Sequence, residues 1–150
     1  MRHFRILIVL VVGVVAVLAL SAGAFADDGG RPLATTLTGA EEVPGPGDPD
    51  GSGTASFRLN PGTQQICFEL TASNITLPAI AAHIHVGPAG VAGPVVVGLA
   101  PPGADGTSSG CVQASFELIM AITKNPENYY VNVHTVPSFP AGAIRGQLSK

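Results

Sequence analysis

Lysine is scarce in this 150-residue chain, tryptophan is absent, and charged residues make up 11% of the sequence. Past the first 26 residues the only lysines are Lys124 and Lys150. An acidic chain this poor in clustered lysine and arginine has no electrostatic footprint for nucleic acid. It also lacks the polybasic patch that would hold it to anionic lipid. Apolar runs of spanning length are missing beyond residue 26, so no second membrane span is expected. There are two cysteines, neither beside residue 26, which argues against a lipoprotein anchor. Long internal repeats are absent.

What is present begins with a leader. Met1 to Arg5 is basic, Ile6 to Leu20 is apolar, and Ala24-Phe25-Ala26 supplies small residues before Asp27. This is the pattern of a secretory signal peptide over residues 1–26. Its removal takes Arg2 and Arg5 away and lowers the formal charge from −3 by two, to −5. Residues 27–150 then form one domain, long enough to bury about two thirds of its unfolded surface. After cleavage no membrane association is expected.

The mature segment reads as all-β. Short alternating or apolar runs recur between Gly, Pro, Asn and Asp, as in an antiparallel sandwich or barrel. Strands are expected at Leu33–Thr38, Thr54–Leu59, Gln65–Thr71, Ala81–Val86, Pro94–Leu99, Cys111–Ala114, Tyr129–His134 and Ala143–Leu148. Asn60-Pro61-Gly62-Thr63 is a turn, with Pro and Gly supplying the required φ values. One helix is expected at Ser115–Thr123, capped by Ser115 and stopped by Pro126, with Phe116, Ile119, Met120 and Thr123 on its packed face. In the last strand Ile144 and Leu148 point inward, Arg145 and Gln147 outward. The segment from Glu42 to Gly53 reads as a polar loop.

Three motifs fail on context. Gly106-Thr107-Ser108-Ser109-Gly110 fits G-x-S-x-G, but a nucleophile elbow needs a strand before the serine and a helix after it. Asp48-Pro49-Asp50-Gly51 starts like a calcium loop, yet the twelfth position is Leu59, where a bidentate glutamate belongs. Gly87, Gly90 and Gly93 lie between strands, with no helix N-terminus to receive a phosphate.

Two features carry chemistry. Cys67 and Cys111 form an even pair in a chain that reads as exported, which points to a disulfide. The loop it closes contains His83 and His85, and corresponds to about 4 kcal/mol in the chain-entropy model. In Ala81–Val86, period-two alternation puts His83 and His85 on one face, about 7 Å apart along the strand, while Ala82, Ile84 and Val86 face a core. A sandwich can bring His134, on another strand, up to this pair. Three neutral imidazoles would make an open copper or zinc site. The competing reading has the rings simply hydrogen-bonding to carbonyls, Asn or Tyr.

Six blocks carry a family resemblance: Leu37-Thr38-Gly39-Ala40-Glu41-Glu42-Val43-Pro44, Gly51-Ser52-Gly53-Thr54-Ala55, Ala81-Ala82-His83-Ile84-His85, Gly93-Pro94-Val95-Val96, Tyr130-Val131-Asn132-Val133-His134-Thr135 and Ile144-Arg145-Gly146-Gln147-Leu148. In this order the chain resembles the CHRD (chordin) domain family from about Pro32 to Ser149. The resemblance implies an extracytoplasmic β-sandwich, expected here as a Greek-key-like sandwich with one short helix. In animals it implies a domain of extracellular antagonists of growth-factor signalling. The function expected for this chain is a non-enzymatic extracellular module binding another protein or an envelope or matrix component. A second resemblance rests on His-x-His, the glycine-rich loop and the late His134, which together are similar to the metal strand of copper/zinc superoxide dismutases. It implies His83, His85 and His134 as metal ligands. The metal-bridging histidine, the zinc-site aspartate and the late arginine loop of those enzymes have no counterpart in the motifs.

Overall fold

A computed structural model describes residues 30–150. The leader reading therefore lies outside the described residues. Within them, eight strands appear: β1 Arg31–Thr38, β2 Ser52–Asn60, β3 Gln65–Ser73, β4 Ala81–Val86, β5 Val95–Leu99, β6 Thr107–Gln113, β7 Tyr129–His134 and β8 Ile144–Gln147. One helix, α1, spans Phe116–Lys124. All strand pairs are antiparallel, in the spatial order β5-β4-β7-β8-β1-β2-β3-β6.

The fold is thus all-β with one short helix, as the alternation requires. Its two halves belong to one continuous sheet. The junction is slight: β1 and β8 share the register pair Thr38↔Arg145, supplemented by an Ala34↔Ser149 bridge. The sheet curls until it nearly closes, and Ser108 Oγ, on β6, donates to the Ala100 carbonyl just past β5 at 2.8 Å. After the β4–β5 hairpin the chain returns β6 to the side of β3, a Greek-key crossover.

Alternation decides what fills the interior. Leu33 and Leu37 from β1, Phe57 and Leu59 from β2, and Ile66, Phe68 and Leu70 from β3 face Ile84, Val97, Val131, Val133 and Ile144. Every one of these positions is buried, so a one-residue slip in any strand would turn its apolar set toward water. The disulfide joins Cys67 to Cys111 across 44 residues. These cysteines are direct cross-strand partners in β3 and β6, so the bond fastens a strand at the end of the sheet to the strand it pairs with.

Three expectations are corrected. Ser115 does cap α1, its hydroxyl accepting from Leu118 N–H at 3.2 Å, but the packed face is Ile119 and Ile122. Phe116 and Met120 are exposed at 49% and 43%, because Ile119 and Ile122 already fill the space beneath the helix. The sixth strand begins at Thr107, not Cys111, so all of the G-x-S-x-G run after Gly106 is strand and no elbow exists. The segment after β1 is more than a polar loop. It opens with a 3-10 turn at Gly39–Glu41 and buries Glu42 and Asp48. No helix among the described residues is long and apolar enough to cross a membrane.

Candidate metal centre

The outer face of β4, β7 and β8 is where the polar side chains collect. Register sets the rows: His83 lies opposite Asn132 and His85 opposite Tyr130, while Asn132 lies opposite Arg145 and Tyr130 opposite Gln147. His134 pairs with Ala81 one row further on. Residues directly opposite in an antiparallel pair share a face, so the alternation that buries Ile84, Val131 and Val133 puts all three histidines together on the other side.

They do converge. His83 Nδ1 lies 3.2 Å from His134 Nε2, and one candidate ligand atom from each of His83, His85 and His134 lies within 4.8 Å of the others. The rings of His83 and His85 are 5.6 Å apart, and those of His83 and His134 5.1 Å. Two rings have their tautomers set by backbone carbonyls, which can only accept. His85 Nδ1–H donates to Gly93 O at 2.8 Å, and His134 Nδ1–H donates to Pro140 O at 3.1 Å. In the neutral rings the lone pairs therefore sit on Nε2. His134 Nε2 lies 3.2 Å from His83 Nδ1 and 3.1 Å from Asn132 Oδ1, so a lone pair on this nitrogen requires the Asn132 amide turned to present its NH2. His85 Nε2 is buried and has no hydrogen-bond partner. Carbonyls that fix one nitrogen of an imidazole and turn the other toward a site are how proteins orient metal-binding histidines; here only the His85 Nε2 is bare.

Burial and the neighbouring imidazoles hold the His83 pKa below its ordinary value. Burial chiefly does the same for His134, partly offset by its bond to Pro140 O. Both rings are thus biased toward the neutral form that can donate a lone pair. Access remains on the β5 side. Gly98 lies opposite His83, and a Cβ there would meet nothing within 4 Å.

A roof covers the other side. The segment Gly87–Pro94 folds back over the sheet, and a side chain at Gly93 would overlap the Val86 carbonyl, so glycine is needed there. Arg145 was expected outward and solvated. It does leave the core, but the roof buries it to 1% exposure. Its guanidinium donates to Val91 O at 3.1 Å and Pro88 O at 3.0 Å, and packs 3.5 Å over the Tyr130 ring. Tyr130 in turn stacks on His85, with ring centres 4.7 Å apart and planes within 9°. Gln147 Nε2 donates to Gly87 O at 2.8 Å. Arg145, Tyr130, Gln147 and His85 thus pin one loop between them.

Glu42 is the second residue whose position alternation did not reveal. Its carboxyl is buried beside Gly142, where φ is +150° and any side chain would collide with it. Desolvation pushes its pKa up to about 7, against the attraction of Arg145 and a hydrogen bond from Val43. Its Oε1 has no hydrogen-bond partner. Among the sequence, only the glycine-rich context of residues 45–53 hinted at close packing here.

The fold and this cluster define a small β domain with a three-histidine face. Its family follows from comparison: residues 33–148 match the model of the CHRD domain, and the chain belongs to that family. No curated protein matches it significantly. No solved structure does either, so the likeness to superoxide dismutases rests on the histidine pattern alone.

Proposed function

We propose that this CHRD domain is a non-enzymatic exported module whose ligand is a transition-metal ion, copper or zinc, held by His83, His85 and His134. The observation that carries the reading is the meeting of three imidazoles with a buried, unpartnered His85 Nε2 among them. A purely structural cluster leaves that nitrogen desolvated without return, at a cost of about 1–3 kcal/mol; a metal ion would satisfy it. The 3.2 Å between His83 Nδ1 and His134 Nε2, itself a hydrogen-bond contact, also suits two nitrogens bound at 2.0–2.1 Å and about 100° apart; the full set spans up to 4.8 Å and would draw in around an ion. The ligands are all neutral, and nitrogen sites of this kind favour copper over zinc in the divalent series.

Export is supported by the leader pattern at residues 1–26 and by the Cys67–Cys111 bond, since disulfides persist in oxidising compartments. Calorimetric titration of tag-free protein with Cu²⁺ and Zn²⁺ tests the metal reading. Wild type should bind one ion and His85→Ala none; equal, negligible heats from both would remove it. A second reading, docking of an extracellular protein or an envelope or matrix component, draws on exposed Ile80, Val91, Val95 and Val136. It would be favoured by partner capture that survives His85→Ala.

A further inference from the structure

The histidine cluster does not stand alone in charge. Arg145 is fully buried, and its hydrogen bonds go to neutral acceptors: the Val91 and Pro88 carbonyls and the Gln147 side-chain oxygen at 3.4 Å. From the Arg145–Tyr130–His85 stack, with its 3.5 Å and 4.7 Å steps, the guanidinium carbon lies within about 8 Å of the His85 ring centre. The candidate ligand set itself contains no carboxylate. A fixed positive charge is therefore built next to three neutral nitrogens.

We infer that Arg145 is a specificity residue that biases this site toward a monovalent metal ion, cuprous copper, and against divalent ions. The inference rests on the metal reading above and adds the oxidation state. With the ion taken at the distance of the His85 ring centre, about 8 Å, and an effective dielectric near 20, one unit charge weakens binding of a monovalent cation about 30-fold and of a divalent cation about 1,000-fold. The selection is the ratio, about 30-fold. The acid with which Arg145 interacts is Glu42, whose buried carboxyl has its pKa raised to about 7; its partial charge at neutral pH opposes that of Arg145 and reduces the ratio. Coordination chemistry points the same way. Three imidazoles suffice for a trigonal Cu⁺ shell, whereas Zn²⁺ and Cu²⁺ would take water or another exogenous group as a fourth ligand, since no further described His, Cys, Asp or Glu joins the trio.

The test is competition for Cu⁺, supplied anaerobically from a colorimetric cuprous chelator, and for Zn²⁺, supplied from a zinc-sensitive chromophore. Wild type, Arg145→Gln, Arg145→Lys and Glu42→Gln are compared, with folding checked by circular dichroism. Arg145→Gln should raise Zn²⁺ affinity about tenfold more than Cu⁺ affinity, while Arg145→Lys, which keeps the charge, should leave the ratio within about threefold of wild type. Glu42→Gln removes the counter-charge and should move the ratio a few-fold toward Cu⁺, which keeps the idea testable if Arg145→Gln does not fold. In the same proteins the copper reduction potential should drop by about 60 mV in Arg145→Gln, the tenfold ratio converted at 59 mV per decade. Metal binding that is lost in His85→Ala but has the same Zn²⁺/Cu⁺ ratio in all four proteins overturns the selection and leaves the metal site standing. Failure of wild type to bind either ion overturns both.

Discussion

Glu42→Gln isolates one buried acid whose contribution to stability can be worked through. Glu42 is 5% exposed, its Oε1 has no partner, and its pKa rises from 4.5 to about 7. A raised acid pKa means the folded state holds the proton more tightly than the unfolded chain. Stability from this group is therefore fully present below pH 4.5 and is lost as pH rises through about 7. A shift of this size is worth about 3 kcal/mol at 1.36 kcal/mol per unit, most of it lost between pH 5 and pH 8. His83 and His134 act in the opposite direction. Their folded pKa values are depressed, so their contribution is present above about 6.5 and is lost as pH falls. Wild type alone would mix the two, but the difference between wild type and Glu42→Gln cancels the histidines. Urea unfolding at pH 5, 6, 7 and 8 is the assay, with equal m-values as the control. Relative to wild type, Glu42→Gln should gain about 2–3 kcal/mol on going from pH 5 to pH 8. A difference that stays flat across this range would show that the carboxyl is hydrated or firmly paired with Arg145, and would refute the reasoning.

Two further outcomes follow from the covalent structure. Exported protein should begin at or near Asp27 on N-terminal sequencing; a retained Met1 would defeat the leader reading. Its intact mass should be about 2 Da below the dithiol form, and Cys67→Ser should cost up to about 4 kcal/mol and free β6 from β3; two titratable thiols per chain would remove the bridge.

The strands were legible because burial on one face writes period-two alternation directly into the residues. Ala81–Val86 and Tyr129–His134 coincide with β4 and β7 to the residue, and their alternation alone placed His83, His85 and His134 on one side. Alternation states which face a residue takes, not what covers that face. Arg145 illustrates this: it points away from the core as expected, yet the loop that buries it lies 54 and 57 residues earlier in the chain. Glu42 was hidden for the same reason, because Gly142, against which its carboxyl packs, comes from a distant segment of the chain. The helix misled in a smaller way. Phe116 and Met120 share helical spacing with Ile119, but Ile119 and Ile122 reach the core and leave the larger side chains in water.

The central claim, a metal ion held by His83, His85 and His134, is tested most directly by elemental analysis. Tag-free protein is loaded with copper or zinc, passed through gel filtration, and measured for metal per chain beside His85→Ala prepared identically. One equivalent of metal in wild type and none in a folded His85→Ala is the result the account predicts. Metal-free wild type, or equal metal in both proteins, would contradict it.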